Sequence, residues 1–490
     1  MAEAGPSVLS DVEPESAPGK RRIVHDLPPK PPQTSLGSLF AWTFIAAFAF
    51  HLAWAFPRLN ALIFIYAYAL LHLSPGPSAR CSVRLGLLTG LLIFGPLLSW
   101  FWRIFGPTAI GLWLVLSFFT AAFVLLLHFW RRQFGPKLIW LIAPMLWTGL
   151  EYFRSELYYL KFSWFSVGYV FSGANGLLPI HWLGVYGTGF LIFFVAALIS
   201  RRNQSFALLS SITLVLGIAT NISLPKTPQT TPHPTSSNTV QIAGVQLEFP
   251  PDLEVPHHLD RVISAHPAAQ IIVLSEYTFD GPVPEHIKRW CRQNNRYLIA
   301  GGKEEFRLND KPAFANTAFV ISPRGEVVFQ QGKSVPIQFF NDGIAATEQN
   351  LWHSPWGKIA IPICYDLSYR RVIDRFVAAG AQAIIVPFMD VTDWGKLQHK
   401  QHARIAPLRA AEYSIPIFRL GSSGISQHIN SHGTVLAQTT FPGEAELLAG
   451  SLEIARPGKI PFDRWLAPFC SGIVAAIIII LASIRLRSIK

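Results

Sequence analysis

The stretch that decides the fold is GKIAIPICYDLSYRRVIDRFVAAGAQAIIVPF, residues 357–388. An apolar run opens it and ends at Cys364, a helical pattern follows over 370–380, and a second apolar run occupies 381–388. Continuous apolar strands joined by a helix are typical of a parallel sheet that is covered on both faces. The stretch therefore predicts an α/β domain with a buried sheet.

The same alternation continues on both sides of this stretch. Helical patterns occupy 257–266, 284–295 and 396–414. Besides the runs 357–364 and 381–388, the predicted strands are 239–246, 269–276, 296–302, 315–322, 326–331, 416–423 and 434–439. Strands alternating with helices over 239–455 predict one layered α/β domain, and about 220 residues are ample for it.

The rest of the chain is far more apolar than this domain. Half of the 490 residues are hydrophobic and only 14% are charged, whereas soluble domains carry roughly 25% charged residues. A bilayer-spanning helix needs about 20 mainly apolar residues. About eight segments fit: 38–56, 59–74, 84–102, 108–130, 137–153, 177–200, 205–223 and 465–484. The sequence predicts a polytopic α-helical membrane domain over 38–223 and a C-terminal transmembrane helix over 465–484.

Two polar segments complete this organisation. Residues 1–37 form a polar tail ahead of the first apolar span. Residues 224–238, LPKTPQTTPHPTSSN, are rich in Pro, Thr and Ser, which is typical of a linker between domains.

The net charge of +12 has a topological explanation. In a soluble protein such an excess suggests nucleic-acid binding, but here eighteen of the 41 basic residues flank apolar spans. Fourteen of them fall on the side of the N-terminus and only Arg58, Arg103, Arg154 and Lys161 on the other. Since cytoplasmic loops are enriched in Lys and Arg, both termini are expected in the cytoplasm and the α/β domain in the periplasm, at a bacterial inner membrane. No nucleic-acid partner is expected.

Three runs of the α/β domain end in a reactive side chain: Glu276, Lys333 and Cys364. Because buried strands direct their terminal residues into the crevice at the sheet edge, these groups are expected to converge there. Glu276 is then a base for the thiol, Lys333 stabilises thiolate and oxyanion, and the Tyr365 N–H is a second oxyanion donor. The alternative is that Cys364 is a small buried hydrophobe and the other two are surface residues.

The four cysteines, at 81, 291, 364 and 470, show no CxxC or Cys/His spacing. A zinc site and a disulfide framework are therefore not expected. No metal or organic cofactor is expected either, since the three side chains supply a nucleophile, a base and positive charge.

Several motifs resemble known families. Residues 239–455 resemble a nitrilase-superfamily (carbon–nitrogen hydrolase) domain in VLSEYTF around Glu276, in Asn316-Thr317, in SPRGEVVFQQGK ending at Lys333 and in the segment around Cys364. This resemblance implies an αββα sandwich with a Glu–Lys–Cys triad. With apolar spans on either side, the chain from about 38 to 486 resembles the apolipoprotein N-acyltransferase family. A loop with Glu151, Arg154, FSW over 162–164 and GY over 168–169 resembles that family's membrane half.

The resemblance implies a two-step exchange. Cys364 attacks an acyl ester of a phospholipid, phosphatidylethanolamine in this expectation, and forms a thioester and a lysophospholipid. The α-amino group of a diacylglyceryl-cysteine at a lipoprotein N-terminus then attacks the thioester and forms an amide. Six aromatic residues are expected to line or cover an apolar mouth, or else to be ordinary core residues: Tyr277, Phe279, Phe339, Phe340, Trp352 and Trp394.

The chain also departs from the acyltransferase pattern. The family's Leu-Val-Pro-Phe-Gly-Glu stretch is replaced by SVPIQFFND over 334–342, which places Phe339 where the Glu falls and leaves Asp342 or Gln338 as substitutes. Tyr365-Asp366 stands where the family has Tyr-Glu. We expect Tyr365, Asp366, Asp342 and Trp394 to take part in oxyanion or substrate binding. Two alternatives stay open: a membrane-tethered nitrilase-like amidase or hydrolase, and a non-catalytic scaffold that binds lipoproteins.

Overall fold

The computed structural model describes residues 35–172, 179–201, 238–454 and 456–487. The polar tail up to residue 34, the predicted span 205–223 and the linker up to residue 237 lie outside the described residues.

Within the described residues, the N-terminal half consists of helices, with short connections between the first six and a longer segment, residues 153–179, before the seventh. They are α1 (Leu36–Ala55), α2 (Ile63–Leu73), α3 (Ala79–Leu97), α4 (Phe101–Phe105), α5 (Ala109–Phe134), α6 (Ile139–Tyr152) and α7 (Ile180–Ile199). Glycines let α3 and α5 pack closely, since a Cβ at Gly86 would lie 2.5 Å from the Ala121 Cα and one at Gly90 would lie 2.5 Å from the Ser117 Cα. Close backbone approach through small residues is typical of helices in membranes.

Within the described residues, five helices are long and apolar enough to cross a membrane. They are Leu36–Ala55, Ala79–Leu97, Phe101–Phe134, Ile180–Ile199 and a C-terminal helix, α13 (Asp463–Arg487). The predicted span 59–74 is part of a shorter apolar segment, and 137–153 is the short α6, whose last turn widens into a π-helix over Phe153–Leu157. The count of about eight spans, like the side of the membrane that the α/β domain faces, stays a prediction.

The α/β domain contains two six-stranded sheets. The first has the order β12-β1-β2-β3-β4-β5 and the second the order β11-β10-β9-β8-β7-β6. The strands are β1 (Asn238–Val245), β2 (Ile271–Val273), β3 (Tyr297–Leu308), β4 (Lys311–Ile321), β5 (Val327–Gly332), β6 (Trp352–Ser354), β7 (Gly357–Ala360), β8 (Ala383–Phe388), β9 (Ile417–Gly421), β10 (Gln427–Ile429), β11 (Val435–Gln438) and β12 (Leu447–Ile454).

Helices cover the outer face of each sheet. α8 (Val255–Ala265) and α9 (Glu285–Asn294) pack on the first sheet, and α10 (Arg370–Ala378) and α12 (Ile405–Tyr413) pack on the second. Apolar side chains of both sheets meet between them: Val240, Ile242, Ile271, Val273, Ile359, Ile385, Phe418 and Leu420. The predicted αββα sandwich is therefore confirmed.

One of the helices predicted from the sequence is divided into two helices in the structure. The pattern over 396–414 forms α11 (Lys396–His402) and α12, with a break at 403–404. Pro407 explains the break, because a proline ring clashes with the carbonyl four residues earlier, that of Ala403, but is tolerated in the first turn of a new helix.

Helix α11 and the segment that follows β7 pack against the membrane half. The indole Nε1 of Trp100 donates to the Gln401 side-chain oxygen at 2.9 Å, and Gln401 donates to the Leu97 carbonyl at 2.7 Å. Ser163 and Trp164 both donate to Ser368, at 3.0 and 3.1 Å. The turn Cys364–Ser368, which follows β7, therefore faces the membrane half.

Candidate active site

Cys364 begins a short 3-10 turn, Cys364–Ser368, four residues after the last residue of β7. It is buried and has a φ of 49°, a left-handed conformation that non-glycine residues adopt only at a cost. The Asp366 carboxylate holds this turn, because it accepts the backbone N–H groups of Ile363 at 3.1 Å, Ser334 at 3.0 Å and Val335 at 2.7 Å. The turn is thereby tied to the segment that follows Lys333.

The Asp366 carboxylate is occupied by backbone N–H groups, and Asp366 does not line the cavity described below. These contacts hold the turn that carries Cys364. The expected part of Asp366 in oxyanion or substrate binding stays a prediction. Burial raises the pKa of Asp366 to about 6.

Glu276 and Lys333 form a buried ion pair beside the turn. The Lys333 Nζ lies 2.8 Å from Glu276 Oε1, which also accepts the Asn316 amide at 2.6 Å. The other oxygen, Oε2, accepts the Met389 N–H at 2.8 Å. Each side chain is 1% exposed, so the pair is shielded from water.

Asp342 is the third member of this charged group. Its Oδ2 lies 2.7 Å from Lys333 Nζ, and its Oδ1 accepts the Tyr277 hydroxyl at 2.7 Å and the Asn316 amide at 2.9 Å. Gln338, the other substitute for the missing Glu, donates to the Tyr159 carbonyl at 2.5 Å. The geometry favours Asp342 as the residue that replaces that acid.

The two carboxylates differ electrostatically. Burial raises the pKa of Glu276 above its ordinary value, although Lys333 opposes the shift. Burial also acts on Asp342, but there the Lys333 ammonium prevails and holds the pKa below the ordinary aspartate value. Pairs whose environments separate their pKa values are suited to separate acid–base roles. Glu276 is thus the carboxylate suited to exchange a proton, and Asp342 the one that stays ionised.

The charges of Lys333 and Cys364 are set by the same surroundings. Burial disfavours the ammonium, but the negative charges of Glu276 and Asp342 outweigh it and raise the pKa of Lys333 well above its ordinary value. Burial and the negative charge of Glu276 raise the pKa of the Cys364 thiol well above its ordinary range. The resting site therefore holds a thiol and an ammonium, and the thiol needs a base before it can act as a nucleophile.

Cys364 opens into an apolar cavity of about 430 Å³ between the two halves of the protein. The membrane half contributes residues 100–112 and the loop 160–164, and the α/β domain contributes residues 337–340 and Trp394. The loop belongs to the segment whose FSW motif, over 162–164, resembles the acyltransferase family's membrane half. Its Phe162 and Trp164 are buried and line the cavity.

The six predicted aromatics divide into two groups. Phe339, Phe340 and Trp394 line the cavity. Phe279 and Trp352 are buried in the core of the α/β domain, as in the alternative interpretation, and Tyr277 directs its hydroxyl to Asp342. Tyr365 lines the cavity and its hydroxyl donates to the Lys161 carbonyl at 3.3 Å. The role of its N–H as an oxyanion donor stays a prediction.

Sequence reasoning missed an Asp–His pair in the cavity wall. His402 Nδ1 lies 2.7 Å from the Asp390 carboxylate, and the ring stacks on Trp164 at 5.2 Å between centroids. Gln398, which also lines the cavity, donates to Asp390 at 2.9 Å. The sequence signal for this pair is a spacing: Gln398 and His402 are four residues apart, which places them on one face of a helix.

The part of the chain that the structure describes contains no group of three or more His, Cys, Asp or Glu side chains that could hold a metal ion. The expectation that the chemistry needs no metal or cofactor stays a prediction.

Comparison with known proteins covers both halves of the chain. Residues 35–198 match the family model of the apolipoprotein N-acyltransferase N-terminal domain, and residues 236–456 match that of carbon-nitrogen hydrolase. An apolipoprotein N-acyltransferase of Geobacter metallireducens is 24% identical over 488 residues, which cover 88% of this chain and 93% of that protein. One of Pseudomonas aeruginosa is 26% identical over 434 residues, covering 76% and 82%.

Among solved structures, the crystal structure of a carbon-nitrogen hydrolase from Helicobacter pylori is similar to this chain at 16% identity. The match covers 44% of this chain and 90% of that one, with a TM-score of 0.38.

Proposed function

Because the chain belongs to the apolipoprotein N-acyltransferase family, we propose that it transfers an acyl chain from a membrane phospholipid, through a thioester on Cys364, to the N-terminal amino group of diacylglyceryl-cysteine in lipoproteins. One observation carries the proposal. A nucleophile beside a buried Glu–Lys pair opens into a cavity whose walls come from both apolar helices and the α/β domain.

The first half-reaction loads the enzyme. Glu276 takes the proton of the Cys364 thiol, and the sulfur attacks the ester carbonyl of the phospholipid, phosphatidylethanolamine in this proposal. Lys333 and the Tyr365 N–H stabilise the oxyanion. Its collapse breaks the C–O bond and expels a lysophospholipid oxygen, which takes the proton back from Glu276.

The second half-reaction releases the acyl chain. The neutral α-amino group of the lipoprotein attacks the thioester carbonyl and loses a proton to Glu276. The C–S bond breaks as the amide forms, and the Cys364 sulfur recovers the proton from Glu276. The enzyme returns to its starting state, so the reaction is a ping-pong exchange.

Two features favour transfer over the alternatives. The cavity walls are largely apolar, and excluding water protects a thioester from hydrolysis until the amine arrives. Burying Glu276, Lys333 and Asp342 together is costly, which is expected of a working site and has no use in a scaffold.

A thioester trap tests the reaction. Purified protein in vesicles with acyl-labelled phosphatidylethanolamine is expected to accumulate label on Cys364 and to pass it to a diacylated lipopeptide with a free α-amino group. The N-acetylated lipopeptide is the control and should leave the label on the enzyme. Release of free fatty acid in place of transfer would establish a hydrolase, and full cellular function of Cys364→Ala would establish a scaffold.

We expect Asp342→Asn to slow acylation about tenfold to a hundredfold, as the loss of one charge-assisted bond worth ~1.5–3 kcal/mol implies. Asn has the same shape but leaves Lys333 with one carboxylate partner. Gln338→Ala is the matched variant and should change the acylation rate less than Asp342→Asn does. The reverse order would mean that Gln338 is the substitute acid position.

The proposed location is a bacterial inner membrane, with the α/β domain in the periplasm and both termini in the cytoplasm. A reporter enzyme that becomes active only after export should be active when it is fused after residue 300, on β3 of the α/β domain. Fusion after residue 487, at the end of α13, should give the opposite result. Cytoplasmic activity of the first fusion would reverse the orientation.

A further inference from the structure

Two cations, Lys161 and Arg371, contact the same tyrosine beside the cavity. Lys161 lines the cavity and its carbonyl contacts Tyr369, and Arg371, at the start of α10, has its guanidinium over the Tyr369 ring. Among the described residues, neither makes an ion pair with a carboxylate. Partial burial, and then the positive charge of Arg371, lower the pKa of Lys161. Like charges held together in this way attract an anion.

Both cations are attached to the turn that carries the nucleophile. The Lys161 carbonyl accepts the hydroxyls of Tyr365 and Tyr369 at 3.3 and 3.1 Å. The Arg371 guanidinium lies over the Tyr369 ring, 5.6 Å from its centroid. Tyr365 and Tyr369 follow Cys364 within five residues. These two tyrosines therefore position the Lys161 backbone and the Arg371 side chain relative to Cys364.

Glu156 is the acid whose negative charge acts on Lys161, but its carboxylate accepts hydrogen bonds from other groups. Its carboxylate is buried and accepts the Arg370 N–H at 3.2 Å and the Tyr186 hydroxyl at 3.3 Å. Lys161 is also one of only four basic residues that flank the apolar spans on the side predicted to be periplasmic. Its position is thus not explained by topology or by ion pairing.

We propose that Lys161 and Arg371 bind the phosphodiester of the donor lipid and so select glycerophospholipids as acyl donors. This inference rests on the proposed function. In such a lipid the phosphate and the acyl esters are attached to one three-carbon glycerol. When an acyl chain fills the apolar cavity and its ester reaches Cys364, the phosphate lies within a glycerol's length of the sulfur, in the cavity that Lys161 lines.

The test compares two acyl donors. Phosphatidylethanolamine vesicles supply the phosphodiester, and p-nitrophenyl palmitate supplies an activated ester without phosphate. Lys161→Met is expected to lower kcat/KM for Cys364 acylation by the phospholipid about tenfold, mainly through KM, and to leave the aryl ester reaction unchanged. Arg371→Gln should act in the same direction, and Lys161→Arg should restore most of the phospholipid reaction.

Arg58→Gln is the matched control, because Arg58 is exposed, is predicted to lie on the same side of the membrane and does not line the cavity. The inference is overturned if Lys161→Met slows both donors equally, slows neither, or has no larger effect than Arg58→Gln. Failure of the wild-type protein to form an acyl-Cys364 with either donor would instead overturn the proposed function.

Discussion

Lys333→Met is expected to reduce acylation of Cys364 about a thousandfold, the scale on which loss of an oxyanion-stabilising group acts. The Lys333 ammonium lies 2.8 Å from Glu276 and 2.7 Å from Asp342, and all three side chains are buried. Met has a similar length and no charge, so the oxyanion loses its cation. The carboxylates of Glu276 and Asp342 also lose the positive charge that lies between them. Two neighbouring buried carboxylates repel each other, so the pKa of at least one of them must rise. The rate of acyl-enzyme formation, followed by mass spectrometry, measures the loss.

The same variant is expected to be less stable, because removing one partner leaves buried charge uncompensated, typically at about 3–5 kcal/mol. Thermal unfolding should therefore be recorded beside the rate, under conditions where the variant is folded. Lys288→Met is the control, since Lys288 on α9 pairs with the exposed Glu285 outside the site. Acylation of Lys333→Met at the wild-type rate would remove Lys333 from the mechanism.

The reactive residues were predictable because they follow strands. Buried apolar runs are recognisable in the sequence, and the residues at their ends meet at the sheet edge. This reasoning placed Glu276 and Cys364 together with Lys333, and the structure brings Glu276 and Lys333 to 2.8 Å. Their roles in catalysis are what the proposed experiments test.

Side chains in the connecting segments were less predictable. Asp342 and Gln338 are only four residues apart, and the local backbone decides between them, with Phe339 in a left-handed conformation at φ 69°. Asp366 follows the nucleophile closely, but three backbone N–H groups determine what its carboxylate does. Such contacts join positions about 30 residues apart, and no periodic pattern of apolar residues in the sequence predicts them.

The cavity could not be derived from sequence pattern at all. Its walls include Trp100 and Phe101, more than 260 positions before Cys364, and they meet the α/β domain through contacts such as Trp100 with Gln401. In sequence these aromatics are indistinguishable from others in apolar spans. Only the packing of the two halves shows that they face the nucleophile.

Glu276→Gln is expected to slow acylation about a thousandfold, within the range that general-base catalysis supplies. Gln keeps the size of the side chain and can still accept from Lys333, but it cannot take the Cys364 proton. Because the pKa of that thiol is raised well above its ordinary range, little thiolate exists without the base. A single-turnover measurement with labelled phospholipid isolates this step from the attack of the amine.

The pH profile identifies the base. Since burial raises the pKa of Glu276, the wild-type acylation rate should fall as the pH drops through that raised value, at a higher pH than an ordinary glutamate would require. Only the ionised form accepts a proton, so the acid form is the inactive one. Asp342→Asn should keep an acid limb because Glu276 is still present, whereas the residual rate of Glu276→Gln should lack it. An unchanged acid limb in Glu276→Gln would show that another group takes the thiol proton, and the buried Asp390–His402 pair in the cavity wall would be the first to test.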